Sequence, residues 1–143
     1  MCLLVLIVLS PIAVVRNQRS RTAAAAEGIR IQGVRATKSL RVGIGSEALR
    51  QEIHAIVQRQ KRFSRAEEAP GGVDVYVRGN IWTWGEVIEI RFSETSEGTD
   101  VYIVCRPRLA TTLADYGQSS SDLSLFIELL QQRTESGQWG YGN

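Results

Sequence analysis

Side chains able to do acid–base, nucleophilic or metal chemistry are few and scattered in this 143-residue chain. His54 is the single histidine. It could act as a general base only with a nucleophile or an orienting carboxylate in reach, and no motif around it supplies one. Its place beside Ile53 reads as a surface or boundary position. The two cysteines are Cys2 and Cys105, without CxxC or Cys/His spacing, so no zinc site is expected. A disulfide between them would need the N-terminal segment to return to the middle of the fold. Gly43-Ile44-Gly45 lacks the third glycine and later acid of a dinucleotide site, and Gly-x-Ser-x-Gly is absent. The close carboxylate pairs Glu67/Glu68 and Glu86/Glu89 are assigned to a turn and to a solvated strand face. The expectation is therefore no catalytic residue, no metal and no cofactor. An enzyme without a recognisable motif stays a distant alternative.

Trp82 and Trp84 share strand parity with Ile88, Ile90 and Phe92, which places them over one core, with Gly85 a bulge or a close backbone approach. Their alternative role is the aromatic wall of a ligand pocket, or a contact with a bilayer surface. Base stacking would also use such aromatics. Charge opposes that use. Residues 1–62 carry eleven Lys/Arg and three acids, a balance of +8; residues 63–143 carry six Lys/Arg and twelve acids, a balance of −6. The tryptophans lie in the acidic part, which disfavours phosphate.

The basic part follows an apolar start. Residues 1–15 contain no charged side chain, and Arg16, Arg19 and Arg21 follow at once. A helix of that length covers about 22 Å against a hydrocarbon core of about 30 Å, short enough to need snorkelling by Arg16 or local thinning. A cleaved signal peptide carries its positive charge before the apolar run, and here none precedes it. The expectation is an uncut signal anchor at 1–15, a basic juxtamembrane linker at 16–36, a folded domain at 37–135 and a flexible tail at 136–143. Arg16, Arg19 and Arg21 then contact the membrane surface, and membrane lipids are the expected partners. Positive side chains stay inside, so the domain is expected in the cytoplasm. Signal cleavage, leaving a secreted or periplasmic domain, is the alternative, and a buried core helix is the plainer one.

The elements of the domain follow from periodicity. Leu40, Val42 and Ile44 alternate with polar residues over 37–44, a strand. Ser46 is a good N-cap, and Leu49, Ile53, Ile56 and Val57 form one stripe of a helix ending near Gln60. Phe63 starts a second strand over 62–66, and Pro70-Gly71-Gly72 closes a turn. Val73, Val75 and Val77 make a third strand. Ile88, Ile90 and Phe92, then Val101, Ile103 and Cys105, alternate on either side of Thr95-Ser96-Glu97-Gly98, an antiparallel hairpin. Ser119–Asp122 offers caps for a second helix with Leu123, Phe126, Ile127 and Leu130 on one face, ending near Gln132. Ile29, Ile31 and Val34 read as a short extended piece.

Val104-Cys105-Arg106-Pro107-Arg108 followed by Asp115-Tyr116-Gly117 resembles the end of small bacterial membrane-associated domains of unknown function. Those pair a strand ending in an Arg-Ser-x-Ser-Arg-like stretch with Asp-x-Gly-x-Asn before the last helix. Here Cys105 and Pro107 interrupt the first part, the spacing to Asp115 is longer, and Ser119 replaces the Asn. The resemblance implies a bacterial, membrane-linked setting and no activity.

The expected architecture is α+β: a mainly antiparallel sheet in the order β-α-β-β-β-β-α, with both helices on one face, after an N-terminal anchor helix. The expected function is a membrane-tethered, non-catalytic interaction or accessory domain. The alternative is a small-molecule or lipid-binding cup, resembling helix-grip proteins in having a helix after an antiparallel sheet, with Trp82 and Trp84 lining it.

Overall fold

A computed structural model describes residues 28–32, 35–79, 84–109 and 118–138, with side chains at 118–119 and 136–138 excluded. The expectations for residues 1–15, Arg16, Arg19, Arg21, Trp82 and the Asp115–Gly117 piece lie outside the described residues. So does Cys2. No helix among the described residues is long and apolar enough to cross a membrane.

The fold is α+β. The strands are β1 (Arg30–Gln32), β2 (Arg35–Val42), β3 (Phe63–Ala69), β4 (Gly72–Val77), β5 (Glu86–Thr95) and β6 (Gly98–Pro107). They form one six-stranded sheet in the order β1-β2-β6-β5-β4-β3, antiparallel throughout. Helix α1 (Ser46–Arg59) joins β2 to β3, and α2 (Gln118–Gln138) follows β6. Helix α1 lies over β3, β4 and β5, while α2 lies over β2 and β6 and packs against α1.

Both helices bury the stripes their spacing implies. Leu49, Ile53, Ile56 and Val57 of α1 are buried, as are Leu123, Phe126, Ile127 and Leu130 of α2. They meet Val73, Val75, Ile88, Ile90, Val101 and Ile103, the alternate side chains of β4, β5 and β6, which are also buried. Phe63 and Phe126 touch edge to face with ring centroids 5.9 Å apart, a favoured aromatic geometry. Burial of this apolar surface is the main stabilising term.

The differences from the sequence expectations have physical causes. The short extended piece expected near Ile29 is present as strand β1, but it belongs to the sheet and not to a linker: Ile31 pairs with Ala36 of β2, and Ile29 is buried. The N-cap of α1 is Gly45, in extended backbone, not Ser46. Ser46 instead donates its hydroxyl to Glu94 Oε2 at 3.1 Å. Strand β3 continues through Glu67 and Glu68, so those acids are not in the turn; Pro70 and Gly71 make it. A Cβ at Gly72 would lie 1.7 Å from the Ile90 carbonyl oxygen, so the strands approach there as only glycine allows. Helix α2 runs on to Gln138, past the expected end near Gln132.

Trp84 is 76% exposed and does not belong to the core. Strand β5 begins only at Glu86, and Gly85 sits at φ +91°, where an added Cβ would lie 2.7 Å from the Val77 carbonyl oxygen. That left-handed residue resets the alternation, so parity counted back from Ile88 does not reach Trp84.

Candidate functional site

Two groups of polar side chains stand out, one buried and one exposed. The buried group lies where β4 ends and β5 begins. Glu86 has the parity of Ile88 and Ile90, faces the helices and is 1% exposed. It is thus not on the solvated face to which the Glu86/Glu89 pair was assigned; only Glu89 lies there. The buried Cys105 thiol donates to Glu86 Oε2 at 3.3 Å.

Beside it, Arg62 makes a bidentate pair with Asp122, Nε to Oδ1 and Nη2 to Oδ2, both at 2.7 Å. Asp122 is 3% exposed. Arg62 Nη1 also donates to the Arg78 carbonyl at 3.1 Å, and the Arg78 amide donates to the Arg62 carbonyl at 3.0 Å. The Arg62 guanidinium is held above its ordinary pKa, first by the hydrogen bond to Asp122; burial opposes this, and the charges of Asp122 and Glu86 add to it. Asp122 lies inside α2 rather than capping it. The cluster is paired within itself under α2.

The exposed group is the sheet face away from the helices. The strand register puts Glu67, Asp74 and Glu89 side by side on three adjacent strands, about 4.8 Å from strand to strand. Such a row repels itself. Each acid has its own arginine: Arg65 Nε lies 2.6 Å from Glu67, Arg91 Nη1 lies 2.7 Å from Asp74, and Arg106 Nη2 lies 2.7 Å from Glu89. Arg41 binds Asp100 at 2.6 Å and Glu97 at 2.9 Å. The hydrogen bond from Arg41 holds the Asp100 carboxyl below its usual range, with the guanidinium charge acting the same way and desolvation opposing it. Arg65 and Arg108 lie over the Tyr76 ring. An open groove of about 680 Å³ on this face includes Ser39, Arg41, Arg91, Asp100 and the half-exposed Tyr102.

His54 borders a second groove, of about 640 Å³, between α1 and β3. Its Nε2 lies 3.1 Å from Glu68 Oε1, and Glu68 is also bound by Arg50. Arg50 reaches the Gly72 carbonyl and lies over the Phe92 ring. His54 is partly exposed beside the buried Ile53, at the boundary of the apolar stripe, and folding gives it in Glu68 the carboxylate partner that no motif around it supplies. No set of His, Cys, Asp or Glu side chains among the described residues is arranged to hold a metal.

Of the residues singled out for a ligand wall, Trp84 projects into solvent. Sequence reasoning missed Glu86, Arg62 and Asp122. Glu86 was readable, since its parity with Ile88 marks a core-facing acid. Nothing local marks the pairing of Arg62 with Asp122.

No family model matches the chain, and no curated protein matches it. Among solved structures it is similar to a protein of unknown function, SA2116, from Staphylococcus aureus, at 11% identity and a TM-score of 0.41, over 74% of this chain and 96% of that one. It is also similar to CalU16 from Micromonospora echinospora, at 14% identity and a TM-score of 0.36, over 76% of this chain and 90% of that one.

Proposed function

We propose that the chain is a membrane-tethered, non-catalytic interaction domain. In this reading residues 1–15 are an uncut anchor, the N-terminus faces outward, and the folded domain works in the cytoplasm beside the inner leaflet. The observation that supports the interaction role is the sheet face of paired charges around Tyr102, left uncovered by both helices. Protein partners commonly meet such a surface through an exposed aromatic with arginines at its rim.

The test has two parts. In alkaline extraction of cells making the full chain, the protein should stay in the membrane fraction at full mass; a soluble chain shortened by about 15–26 residues would make the segment a signal peptide. A cytoplasm-dependent reporter at Asn143 should be active. Tyr102→Ser, which leaves every ion pair of the face in place, should abolish cross-linking to a partner with little change in the melt. Unchanged cross-linking would remove the open face from the function.

A second reading rests on a different observation. Cys105 pairs with Glu86 and Arg62 with Asp122 beneath α2, and a small-molecule or lipid-binding cup would have to open between these buried polar pairs. Native mass spectrometry of the purified chain separates the two. A co-purifying small molecule that Glu86→Gln displaces favours the cup, and a bare chain favours the interaction domain.

A further inference from the structure

Charge is segregated along the strands of the sheet. At one end lie the close of β4, the start of β5, the close of β6, the start of β2 and the turn between α1 and β3. Hydrogen bonds from the Arg78 amide to the Arg62 carbonyl and from the Arg108 amide to the Gly85 carbonyl tie these pieces together. Every exposed charged side chain among the described residues of that end is a cation: Arg35, Arg59, Lys61, Arg78 and Arg108. The acids there, Glu86 and Asp122, are buried.

Arg35, Lys61 and Arg78 join no ion pair among the described residues. This contrasts with Arg41, Arg65, Arg91 and Arg106, each of which has an acidic partner. The same end carries Trp84, 76% exposed, and Leu109, 44% exposed, two of the three large apolar side chains left in solvent among the described residues. The opposite end, around the β5–β6 turn and the start of α1, exposes Glu47, Glu94 and Glu97, with the cation Arg41 paired there to Glu97 and Asp100.

We infer that the end bearing Arg35, Lys61, Arg78, Arg108, Trp84 and Leu109 docks the folded domain onto an anionic phospholipid surface. Unpaired cations are attracted to anionic headgroups, each worth about 1 kcal/mol near the surface. An exposed indole and a leucine enter the interfacial layer, where the ring body is dehydrated and its N–H stays wet. Lipid is the partner that uses both kinds of side chain at one surface. Nucleic acid would use the cations and could stack on Trp84, but it gives Leu109 no role. The acids of the far end are then turned away from the negative bilayer. The inference goes beyond the tether, because it concerns the folded domain and does not need residues 1–15 to be an anchor.

The full chain carrying Trp82→Phe and Trp139→Phe leaves Trp84 as the fluorescent reporter. It is mixed with phosphatidylcholine vesicles, with and without phosphatidylserine, containing brominated acyl chains. Flotation reports the anchor, and Trp84 reports the docking. With phosphatidylserine present, Trp84 emission should shift to the blue and be quenched by bromine. With phosphatidylcholine alone both effects should be weak. Arg35→Gln, Lys61→Gln and Arg78→Gln should each weaken docking about fivefold, the equivalent of about 1 kcal/mol, with flotation unchanged. Trp84 emission that is equal on both lipids, or that ignores the three substitutions, overturns the inference. So does binding of a labelled single-stranded oligonucleotide that the three substitutions abolish while vesicle quenching persists. A chain that fails to float with phosphatidylcholine alone, yet floats and has Trp84 quenched once phosphatidylserine is present, removes the anchor and keeps the docking end.

Discussion

Arg62 and Asp122, sixty residues apart in sequence, form a two-pronged ion pair with both N···O distances at 2.7 Å. The pair joins the turn before β3 to the first part of α2. Asp122 is nearly sealed from water, and Arg62 uses its remaining nitrogen on the Arg78 carbonyl. One guanidinium thus holds the last helix, the start of β3 and the end of β4 in one geometry. Its planar fork is suited to this in a way that a lysine ammonium is not.

Removing one partner of this pair leaves a charge in a site built for two. Asp122→Ala should lower the unfolding free energy of the full chain by about 3 kcal/mol. Arg62→Met with Asp122→Leu should cost less than Asp122→Ala alone, because no charge is stranded. Urea unfolding measures both. Equal losses would mean that the pair contributes through packing and not through charge.

Strand faces give a second expectation. Ile90→Asp and Ile127→Asp each put a charge among buried side chains and should destabilise by several kcal/mol, about 3 or more. Glu89→Ala removes only a partly exposed pair with Arg106 and should cost about 0.5–1 kcal/mol. Thermal melts in which Glu89→Ala is the most damaging of the three would invert the assigned faces.

Glycines at close approaches should differ from a glycine in open space. A Cβ at Gly98 would lie 2.1 Å from the Val42 carbonyl oxygen, and one at Gly72 would lie 1.7 Å from that of Ile90. Backbone must move in both cases, so Gly72→Ala and Gly98→Ala should each cost more than about 2 kcal/mol. Gly71 has φ +71° but nothing within 4 Å of the added atom. Gly71→Ala should cost only the left-handed penalty of about 1–2 kcal/mol. Denaturation of the three variants ranks them directly.

The Asp100 carboxyl, held low by Arg41, sets a pH expectation. A carboxyl with a depressed folded pKa contributes stability above its unfolded pKa, about 3.9 for Asp. That contribution is lost as pH falls through the lower folded value. Carbonyl-detected NMR titration should find Asp100 ionising below the usual range, and Arg41→Gln should move it back up. An Asp100 titration that ignores Arg41→Gln would mean the contact is not maintained in solution.

Local periodicity carried most of the architecture. Ile88 and Ile90, Val101 and Ile103, and the stripes from Leu49 to Val57 and from Leu123 to Leu130 each have one face apolar at the spacing their backbone imposes. An element with one apolar face has to bury it, so a sheet covered on one side by two helices follows from the sequence. The order of strands and their register do not follow, because they depend on contacts between residues far apart. Register placed Glu67, Asp74 and Glu89 in one row and gave each its arginine. Gly85 turned Trp84 outward by a single left-handed backbone step. Folding brought Arg62 to Asp122 and gathered Arg35, Lys61, Arg78 and Arg108 at one end of the sheet from four separate parts of the chain. Side-chain alternation is set within a few residues, whereas charge pairing and surface polarity are set only when distant strands meet.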